Sequence, residues 1–358
     1  MATRIEDYDY LLPGELVAQH PVRPRDASRL LVLERATGEL HHARFRDLPE
    51  WLDPQDLLVV NDTRVFQARL RGAKASGGRV ELLLHHLPVE EENVGVKNVA
   101  QPPPAVPSAR ARVTHRGRLK VGQTLQFGPV LQAKVTGLPR PGVAEVQFFS
   151  LNGDVGQAVL AAGEVPLPPY IRRAPEAEDA ECYQTVYAAS TGAIACPTAG
   201  LHFTEEVLAD LARRGIETVP LTLHVGPGTF QPVRHADYTR HCLEPEYFEL
   251  SEAAAARLNA TRGAQRLVAV GTTSVRVLEH CCGPEGFSPQ RGWCGLYIYP
   301  GYAFKAVDRL LTNFHLPKST LLLLVSALAG RDLIMPAYEA AVRERYRFYS
   351  YGDCMLIL

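Results

Sequence analysis

The feature that most constrains the fold is a change in the sequence pattern inside the chain, between about residue 68 and residue 150. No helical period of useful length occurs there, and glycine and proline separate short segments with strand character, which is typical of a small antiparallel β-barrel. These segments are Val80–His86, Arg110–Thr114, Leu119–Phe127, Val130–Gly137 and Val143–Phe149. Between them, residues 88–108 are rich in proline and glutamate and predict a long surface loop.

On both sides of this stretch, strand and helix patterns alternate, which is typical of a sheet covered by helices on both faces. We therefore predict a large α/β/α layered domain with a mixed sheet, formed by residues 1–67 and 151–358. A small antiparallel β-barrel domain, residues 68–150, interrupts it. The predicted strands are Arg29–Glu34 with a hairpin after it, Leu57–Val60, Ile216–Val225, Leu267–Val270 and Met355–Leu358. The predicted helices are Glu178–Ser190, Glu205–Arg214, Glu252–Arg262, one that runs on from Gly271 through Cys282, Thr320–Ala329, and one from Pro336 to about Arg347.

Charge is divided unevenly between these parts, although the whole chain has a formal net charge of −1. Residues 69–150 carry a net charge of +7, and the rest of the chain carries −8. This asymmetry has two interpretations: the barrel faces a polyanion such as nucleic acid, or it docks on the acidic large domain.

The cysteines and the apolar segments indicate a cytoplasmic protein. Seven cysteines without a CxxC pair argue against a disulfide framework and a structural zinc site, so we expect a reducing compartment. The longest apolar run, Leu321–Ala329, is too short to span a bilayer. The N-terminal residues lack the apolar core of a signal peptide, so no membrane contact is expected.

Polar clusters follow several predicted strands, whereas a P-loop, a GxGxxG turn, an HExxH helix and a GxSxG elbow are all missing. Ligands of α/β proteins bind where strands end, so these clusters are candidate site segments. The clusters are residues 61–64, 196–204, 223–230, 271–276 and 312–320.

Each cluster also has a purely structural interpretation. The turn at Thr272–Ser274 suits a carboxylate or phosphate, but it equally begins an ordinary capped helix. Asp62 suits a base or a ligand of ribose hydroxyls, while Asn-Asp pairs are also common in turns. His202 is either a proton-transfer group or a structural histidine.

Eight long segments, in order along nearly the whole chain, are similar to one family. They are residues 12–19, 25–30, 59–65, 197–204, 271–276, 299–302, 311–320 and 346–353, which include Pro197-Thr-Ala-Gly-Leu-His-Phe-Thr204 and Leu311-Thr-Asn-Phe-His-Leu-Pro-Lys-Ser-Thr320. The chain resembles the S-adenosylmethionine:tRNA ribosyltransferase-isomerases of queuosine biosynthesis.

The resemblance implies both a fold and a reaction. The fold is a large α/β domain interrupted by a small β-barrel. The ribosyl part of S-adenosylmethionine is transferred to 7-aminomethyl-7-deazaguanine at the wobble position of a tRNA and isomerised, giving epoxyqueuosine, adenine and methionine. S-adenosylmethionine is consumed as a co-substrate, so no cofactor and no metal are expected. A tRNA with a GUN-type anticodon and a monomeric enzyme are also implied.

The matched segments supply the candidate site residues. The expected catalytic residues are His202, His224, Asp62, His315, Asp353 and Glu246, with the first two as proton-transfer groups because imidazole titrates near neutral pH. The expected substrate-binding residues are Arg64, Thr272, Thr273, Ser274, Arg276, Asn313, Ser319 and Thr320. The expected RNA-binding residues are Arg116, Arg118, Lys120, Arg343 and Arg347.

The chain departs from the family pattern in three places. Leu243 and Glu244 stand where the family usually has methionine and histidine. Residues 110–118 replace a tryptophan-containing barrel segment, and Cys196 replaces an alanine. Two alternatives to an active transferase-isomerase therefore stay open: a non-catalytic RNA-binding relative, and an enzyme that acts on another modified base or a free nucleoside.

Overall fold

A computed structural model describes residues 3–90, 108–230, 233–261 and 263–358. In chain order its strands are β1 Arg29–Leu33, β2 Leu40–Arg44, β3 Asp56–Asn61, β4 Thr63–Val65, β5 Arg69–Lys74, β6 Arg79–Leu84, β7 Val89–Glu90, β8 Ser108–Arg116, β9 Thr124–Phe127, β10 Leu131–Arg140, β11 Val143–Ser150, β12 Gly163–Glu164, β13 Ser190–Ala193, β14 Glu217–Leu223, β15 Glu246–Leu250, β16 Arg266–Val270, β17 Cys282–Gly283, β18 Gly286–Phe287, β19 Gln290–Cys294, β20 Arg309–Asn313 and β21 Cys354–Ile357. Its α-helices are α1 Val155–Ala162, α2 Asp179–Cys182, α3 Glu205–Arg213, α4 Glu252–Thr261, α5 Thr272–Cys281, α6 Thr320–Ala329 and α7 Arg331–Arg343.

The large sheet has nine strands in the order β19-β15-β14-β3-β16-β20-β21-β1-β2. Strands β14, β3, β16 and β20 are parallel to one another, and β21 runs antiparallel to β20 and parallel to β1. The strands of this core are almost wholly apolar because both faces of the sheet are buried.

Helices cover the two faces of the large sheet, as predicted. One face packs against α4 to α7, and alternate residues such as Leu57 and Val59 of β3 point into that layer. The other face packs against α3 and two 3₁₀ helices, Phe45–Glu50 and Thr198–His202, with Leu58 and Val60 pointing into it. The predicted α/β/α layering with a mixed sheet is therefore confirmed.

The second sheet closes into a six-stranded antiparallel barrel, also as predicted. Its order is β11-β10-β9-β5-β6-β8, and β8 pairs with β11 to complete the circle. Sequence analysis missed β5, and it began β9 too early, since residues 119–123 form a turn. Of the predicted surface loop, residues 91–107 lie outside the described residues. Helix α1 and strand β12 pack on the barrel although they follow residue 150, so the exact domain boundary stays a prediction.

Several helix limits follow from local capping. Thr204 Oγ1 accepts a hydrogen bond from the N–H of Val207 at the start of α3, and Gly215 follows its end with a φ of +80°. Ser319 Oγ caps α6 in the same way, by accepting from the N–H of Leu322. The segments predicted for β1, β3, β14, β16, β21, α3, α4 and α6 are helices and strands of the predicted kind, and their limits agree to within two residues. The predicted hairpin after β1 is formed with β2.

The predicted helix Glu178–Ser190 is wrong, because only the four residues of α2 are helical. The carboxylate of Asp179 accepts two hydrogen bonds from Arg173, at 2.6 and 2.7 Å, and one from the hydroxyl of Tyr351. Further along the chain, the side chain of Gln184 accepts a hydrogen bond from the N–H of Val65 and donates one to the carbonyl of the same residue. These tertiary bonds outweigh the local helical pattern.

The predicted helix start at Pro336 is also wrong. Helix α7 begins at Arg331 because Gly330, with a φ of +89°, ends α6 and lets the chain turn at once into the next helix. Pro336 therefore lies inside α7, where it leaves one carbonyl without its helical partner.

Among the described residues, no single helix is long and apolar enough to cross a membrane; α6 and α7 pass that test only as a pair, bent by 120°. All seven cysteines are free thiols.

Candidate active site at the carboxyl edge of the large sheet

The topology brings most of the predicted site segments to one edge of the large sheet. Four parallel strands end there, at Asn61, Leu223, Val270 and Asn313. Strands β21 and β1 begin at the same edge because β21 is antiparallel to β20. We call this line of strand ends the site edge.

Asn61 holds three elements together at the site edge. Its Nδ2 donates to the carbonyl of Leu223, at 2.9 Å, and to Thr273 Oγ1, at 3.2 Å. Its Oδ1 accepts from the backbone N–H groups of Thr63 and Leu223. Asn61 is fully buried, so these bonds fix the ends of β3 and β14 against the start of α5.

His224 follows β14 and is the most accessible of the three predicted catalytic histidines. Its Nδ1 is 2.7 Å from Thr63 Oγ1, and its ring stacks on Tyr247 with centroids 5.6 Å apart. A Cβ at Gly192 would lie 2.5 Å from the ring, so only glycine leaves room for it. Burial lowers the pKa of His224, while the nearby charge of Asp62 acts in the opposite direction.

Asp62 is half-buried beside His224 and has its own hydrogen-bond donors. Thr222 Oγ1 donates to one carboxylate oxygen at 2.7 Å, and Ser190 Oγ lies 3.5 Å from the other. Three strands, β3, β13 and β14, thus meet around one carboxylate. The carboxylate is therefore held in place and keeps an accessible side. This arrangement suits a group that binds ribose hydroxyls or that interacts electrostatically with His224.

His202 lies at the other end of the site edge and is buried. Its Nδ1 is 2.7 Å from Ser28 Oγ, and Asn313 Nδ2 donates to its Nε2 at 3.1 Å. Because an amide nitrogen only donates, Nε2 accepts and the ring proton resides on Nδ1. Burial, together with Arg347 and Arg25, lowers the pKa of His202 to about 3. The expectation that this imidazole titrates near neutral pH is therefore wrong, and the neutral ring acts as a fixed hydrogen-bonding group.

A cleft of about 500 Å³ opens beside His202. Its lining combines guanidinium groups, carboxylates and small polar groups, which suits a ligand that carries charges of both signs. The lining residues that matter here are Ser28, Arg23, Arg25, Glu205, Glu206 and Ser350.

His315 and Asp353 are buried, and their side chains form hydrogen bonds within the chain. Thr312 Oγ1 is 3.0 Å from His315 Nε2, and burial lowers the pKa of this histidine to about 3. Asp353 accepts hydrogen bonds of 2.8 Å from the backbone N–H groups of Arg29 and Arg347, and is 2% exposed. Burial raises its pKa. Both residues fix the chain at the site edge, and their catalytic roles stay predictions.

Glu246 and Arg276 form a buried ion pair between β15 and α5. Glu246 Oε1 also accepts from the N–H of Gly226, at 2.8 Å. Arg276 donates to the carbonyls of Leu296 and Cys294. The predicted substrate-binding role of Arg276 therefore requires that its guanidinium leave or share these partners.

The remaining predicted binding residues lie near the starts of α5 and α6 or on β4. Thr272, Thr273 and Ser274 are buried in the first turn of α5, which begins after Gly271 with a φ of +84°. Thr320 is buried at the start of α6, next to the capping residue Ser319. Arg64 is exposed, and its guanidinium donates to the carbonyl of Ala188.

The predicted RNA-binding residues lie on two elements outside the site edge. Arg116, Arg118 and Lys120 are exposed at the end of β8 and in the turn after it. Arg343 is exposed at the end of α7, whereas Arg347 is half-buried and donates to the carbonyl of His20.

Sequence reasoning missed several residues that shape the site. Ser28, Ser190, Gly192 and Thr222 each contact a predicted site residue from a distant part of the chain. For Ser28 alone a signal existed, because it lies within a matched segment. Among the described residues, one group with metal-ligand spacing, Glu34, Glu39 and His41, lies at the opposite end of β1 from the site edge.

The chain is similar over nearly its whole length to proteins of one family. The family model described as queuosine biosynthesis protein matches residues 5–357. A relative from Symbiobacterium thermophilum, named S-adenosylmethionine:tRNA ribosyltransferase-isomerase, is 51% identical over 99% of this chain and 100% of its own length. Relatives of the same name from Syntrophotalea carbinolica and Anaeromyxobacter dehalogenans are 47% and 49% identical over 99% of this chain, and are covered over 100% and 99% of their own lengths.

A solved structure shares the fold. The crystal structure of an S-adenosylmethionine tRNA ribosyltransferase from Thermotoga maritima is similar with a TM-score of 0.55 and 34% identity, over 98% of this chain and 100% of the other. From the site edge, the family model and these full-length relatives together, we conclude that the chain belongs to the queuosine biosynthesis protein family.

Proposed function

We propose that this protein is an S-adenosylmethionine:tRNA ribosyltransferase-isomerase. It transfers the ribosyl part of S-adenosylmethionine to 7-aminomethyl-7-deazaguanine at the tRNA wobble position and isomerises it, which gives epoxyqueuosine-tRNA, adenine and methionine. The observation that carries this proposal is the full-length similarity to relatives with this name, at 45–51% identity, combined with the collection of the matched segments at one sheet edge.

The reaction needs a base, a place for the leaving groups and exclusion of water. The base removes a proton from C5′, which the adjacent sulfonium makes acidic. We assign this proton transfer to His224, because its ring is accessible and is held by Thr63 and Gly192. Asp62 lies close enough to favour the imidazolium that forms.

The two histidines that were predicted as proton-transfer groups serve different parts of the substrates. Three inter-strand spacings, roughly 14 Å, separate the end of β14 from the end of β20. His224 follows the first strand and His202 bonds to Asn313 of the second. One reacting atom cannot touch both rings. His202 therefore positions one substrate in the adjoining cleft, and His224 serves the proton transfer.

The partners follow from the same assignment. The substrates are S-adenosylmethionine, which is consumed, and a tRNA with a GUN-type anticodon. The net charge of +7 over residues 69–150 supports a polyanionic partner. We further propose a monomeric, cytoplasmic enzyme that uses no cofactor and no metal, with the barrel at 68–150 as a separate domain.

Adenine release tests the function directly. Purified protein is incubated with S-adenosylmethionine and a tRNA that carries 7-aminomethyl-7-deazaguanine, and adenine is measured by chromatography. We expect adenine only with this tRNA, together with a nucleoside of epoxyqueuosine mass. His224→Ala should lower turnover by about 10²- to 10⁴-fold, and turnover within about twofold of the unsubstituted protein would remove His224 from the mechanism.

Because Glu244 replaces a histidine of the family pattern, the two alternative functions are tested in the same assay. Its carboxylate pairs with Arg140 of the barrel, so it links the loop before β15 to the barrel instead of offering an imidazole. Folded protein that binds the tRNA without releasing adenine would identify a non-catalytic relative. Adenine released without any tRNA would identify an enzyme that acts on a free nucleoside.

A further inference from the structure

A row of aromatic rings leads from the site edge to the protein surface. Tyr247 of β15 pairs with Trp293 of β19, and the backbone N–H of His224 donates to the carbonyl of Tyr247 at 2.8 Å. The three side chains are therefore cross-strand neighbours on one face of the sheet. We call Tyr247 and Trp293, together with the ring of His224, the aromatic shelf.

Part of the ring surface of the aromatic shelf is exposed to solvent. The rings of His224 and Tyr247 are nearly parallel, at 19°, whereas Trp293 meets Tyr247 edge-on, at 82° with centroids 6.0 Å apart. Trp293 is 65% exposed, and within the described part of the chain it is the one aromatic side chain that is exposed. Alternate residues of β15, such as Phe248, point to the opposite face and into the core, so packing does not explain the exposure of Trp293.

Charged groups of both signs border the shelf, since the exposed Glu249 follows Tyr247 by two residues and is the register partner of Arg291. Arg291 precedes Trp293 by two residues on the exposed strand β19, so it lies on the same face. From the barrel, Arg140 reaches Glu244, three residues before Tyr247. A chain of phosphates that crosses the shelf would thus pass from the large domain toward the positively charged barrel.

We propose that the aromatic shelf binds an unpaired base of the tRNA substrate by stacking on Trp293 and Tyr247. A planar, uncharged ring system with a polyanionic backbone is the chemistry that exposed aromatic rings and neighbouring arginines recognise together. This inference rests on the proposed function, because the shelf begins at His224. It adds a second anchor for the RNA beyond the reacting base.

Trp293 itself reports on the shelf, since the chain has only two tryptophans. Trp51 lies before β3, at the opposite edge of the sheet, and packs on His41. In a Trp51→Phe protein, all tryptophan fluorescence therefore comes from position 293. We expect a seventeen-nucleotide anticodon stem–loop to quench this fluorescence, and a blunt duplex of the same stem sequence to leave it unchanged.

Affinity provides the second readout. One stacked base contributes about 1–3 kcal/mol, so Trp293→Ala should weaken binding of the stem–loop, followed by fluorescence anisotropy of a labelled RNA, by roughly 5- to 150-fold. Trp293→Phe keeps a ring and should lose less. Trp51→Phe alone should bind as the unsubstituted protein does.

The outcomes separate this proposal from the proposed function. Quenching by the stem–loop but not by the duplex, with weaker binding by Trp293→Ala, supports the shelf. Normal adenine release with no quenching, or equal quenching by stem–loop and duplex, overturns the shelf and leaves the function standing. Fluorescence that changes with protein concentration alone would mean that a second copy covers Trp293, which also overturns the proposal. Failure of any tRNA to bind and of adenine to appear overturns both.

Discussion

At the scale of single residues, the position of the His224 ring depends on the absence of a side chain at residue 192. A Cβ there would lie 2.5 to 2.7 Å from three ring atoms, far inside van der Waals contact. The ring would have to move away from Thr63, which now fixes it through a 2.7 Å hydrogen bond. A catalytic group tolerates only displacements well below 1 Å from its productive position.

We therefore predict that Gly192→Ala lowers the turnover number by at least about tenfold, because a misplaced catalytic group can cost up to 10²-fold. The measurement is kcat for adenine release at saturating substrates. Gly78→Ala is a matched control, since its Cβ would meet only the side chains of Lys74 and Ser76, at ordinary distances of 3.5 and 4.0 Å. Equal activities of the two variants would show that the ring has room to move.

The two buried histidines make stability depend on pH. Burial lowers the pKa of His202 and of His315 from 6.5 to about 3 in the folded chain. Between these values the unfolded chain binds more protons than the folded one, so stability is complete above about pH 6.5 and falls as the pH decreases toward 3.

Each histidine should add a slope of up to about 1.4 kcal/mol per pH unit to the free energy of unfolding within this range. Urea denaturation at pH 7, 6 and 5 measures the slope. We expect His315→Gln to have a smaller slope than the unsubstituted protein, whatever its stability at pH 7. Parallel slopes for the two proteins would contradict the buried, neutral state of His315.

At the scale of elements, the Glu246–Arg276 pair fastens β15 to α5 inside the protein. The two buried charges stabilise each other, and either charge buried without its partner would destabilise the fold. The pair also orders the turn after β14, because Gly226 donates to Glu246.

We predict that Glu246→Ala destabilises the fold by about 3–5 kcal/mol, as expected when a buried partner charge is left unpaired. Glu246→Ala with Arg276→Met should cost less than the sum of the single changes. Arg257→Ala, which breaks the half-exposed pair with Glu217, is a control with an expected cost of about 0–1 kcal/mol. Additive costs in the double variant, measured by urea denaturation, would argue against the pair.

Some helices and strand ends can be predicted from the local sequence alone. Local signals place α3 and α6, because Thr204 and Ser319 cap them and glycine follows each end. The strand-end clusters are likewise local signals, and their meeting at one edge follows from the parallel order of the strands.

Contacts between distant residues are what sequence reasoning could not supply. The Ser28–His202 bond joins residues 174 positions apart, and burial at that point shifts the pKa that a free histidine would have. The failed helix at 178–190 has the same cause, since Arg173, Tyr351 and Val65 hold its residues in another conformation.

At the scale of the whole molecule, the positive charge of the barrel has two uses. Arg71 pairs with Glu164 and Arg140 with Glu244, so part of the charge docks the barrel on the rest of the chain. The exposed groups at Arg116, Arg118 and Lys120 face solvent. Both interpretations of the charge asymmetry thus find support, in different residues.

Replacing Arg116, Arg118 and Lys120 together by alanine should weaken tRNA binding and flatten its salt dependence. Each lost phosphate contact lowers the slope of log K against log salt by about 0.7–0.9, so the total change is up to about 2–3. Binding assays at several salt concentrations measure this slope. Arg213→Ala, on α3 and paired with Asp210, should leave the slope as it is. An unchanged slope in the triple variant would place the RNA elsewhere.

Strand β21 has a consequence for how the protein is made. It lies between β20 and β1 in the large sheet, so the β1–β2 hairpin reaches the other strands only through it. On the ribosome the hairpin emerges first and β21 after every other described strand. Strand β1 must therefore wait, with its apolar side chains uncovered, while residues 34–353 are made. Asp353, just before β21, accepts hydrogen bonds from the backbone of Arg29 and Arg347, so these bonds also form only after residue 353 has been made. This order of events gives chaperones a long-lived target near the beginning of the chain.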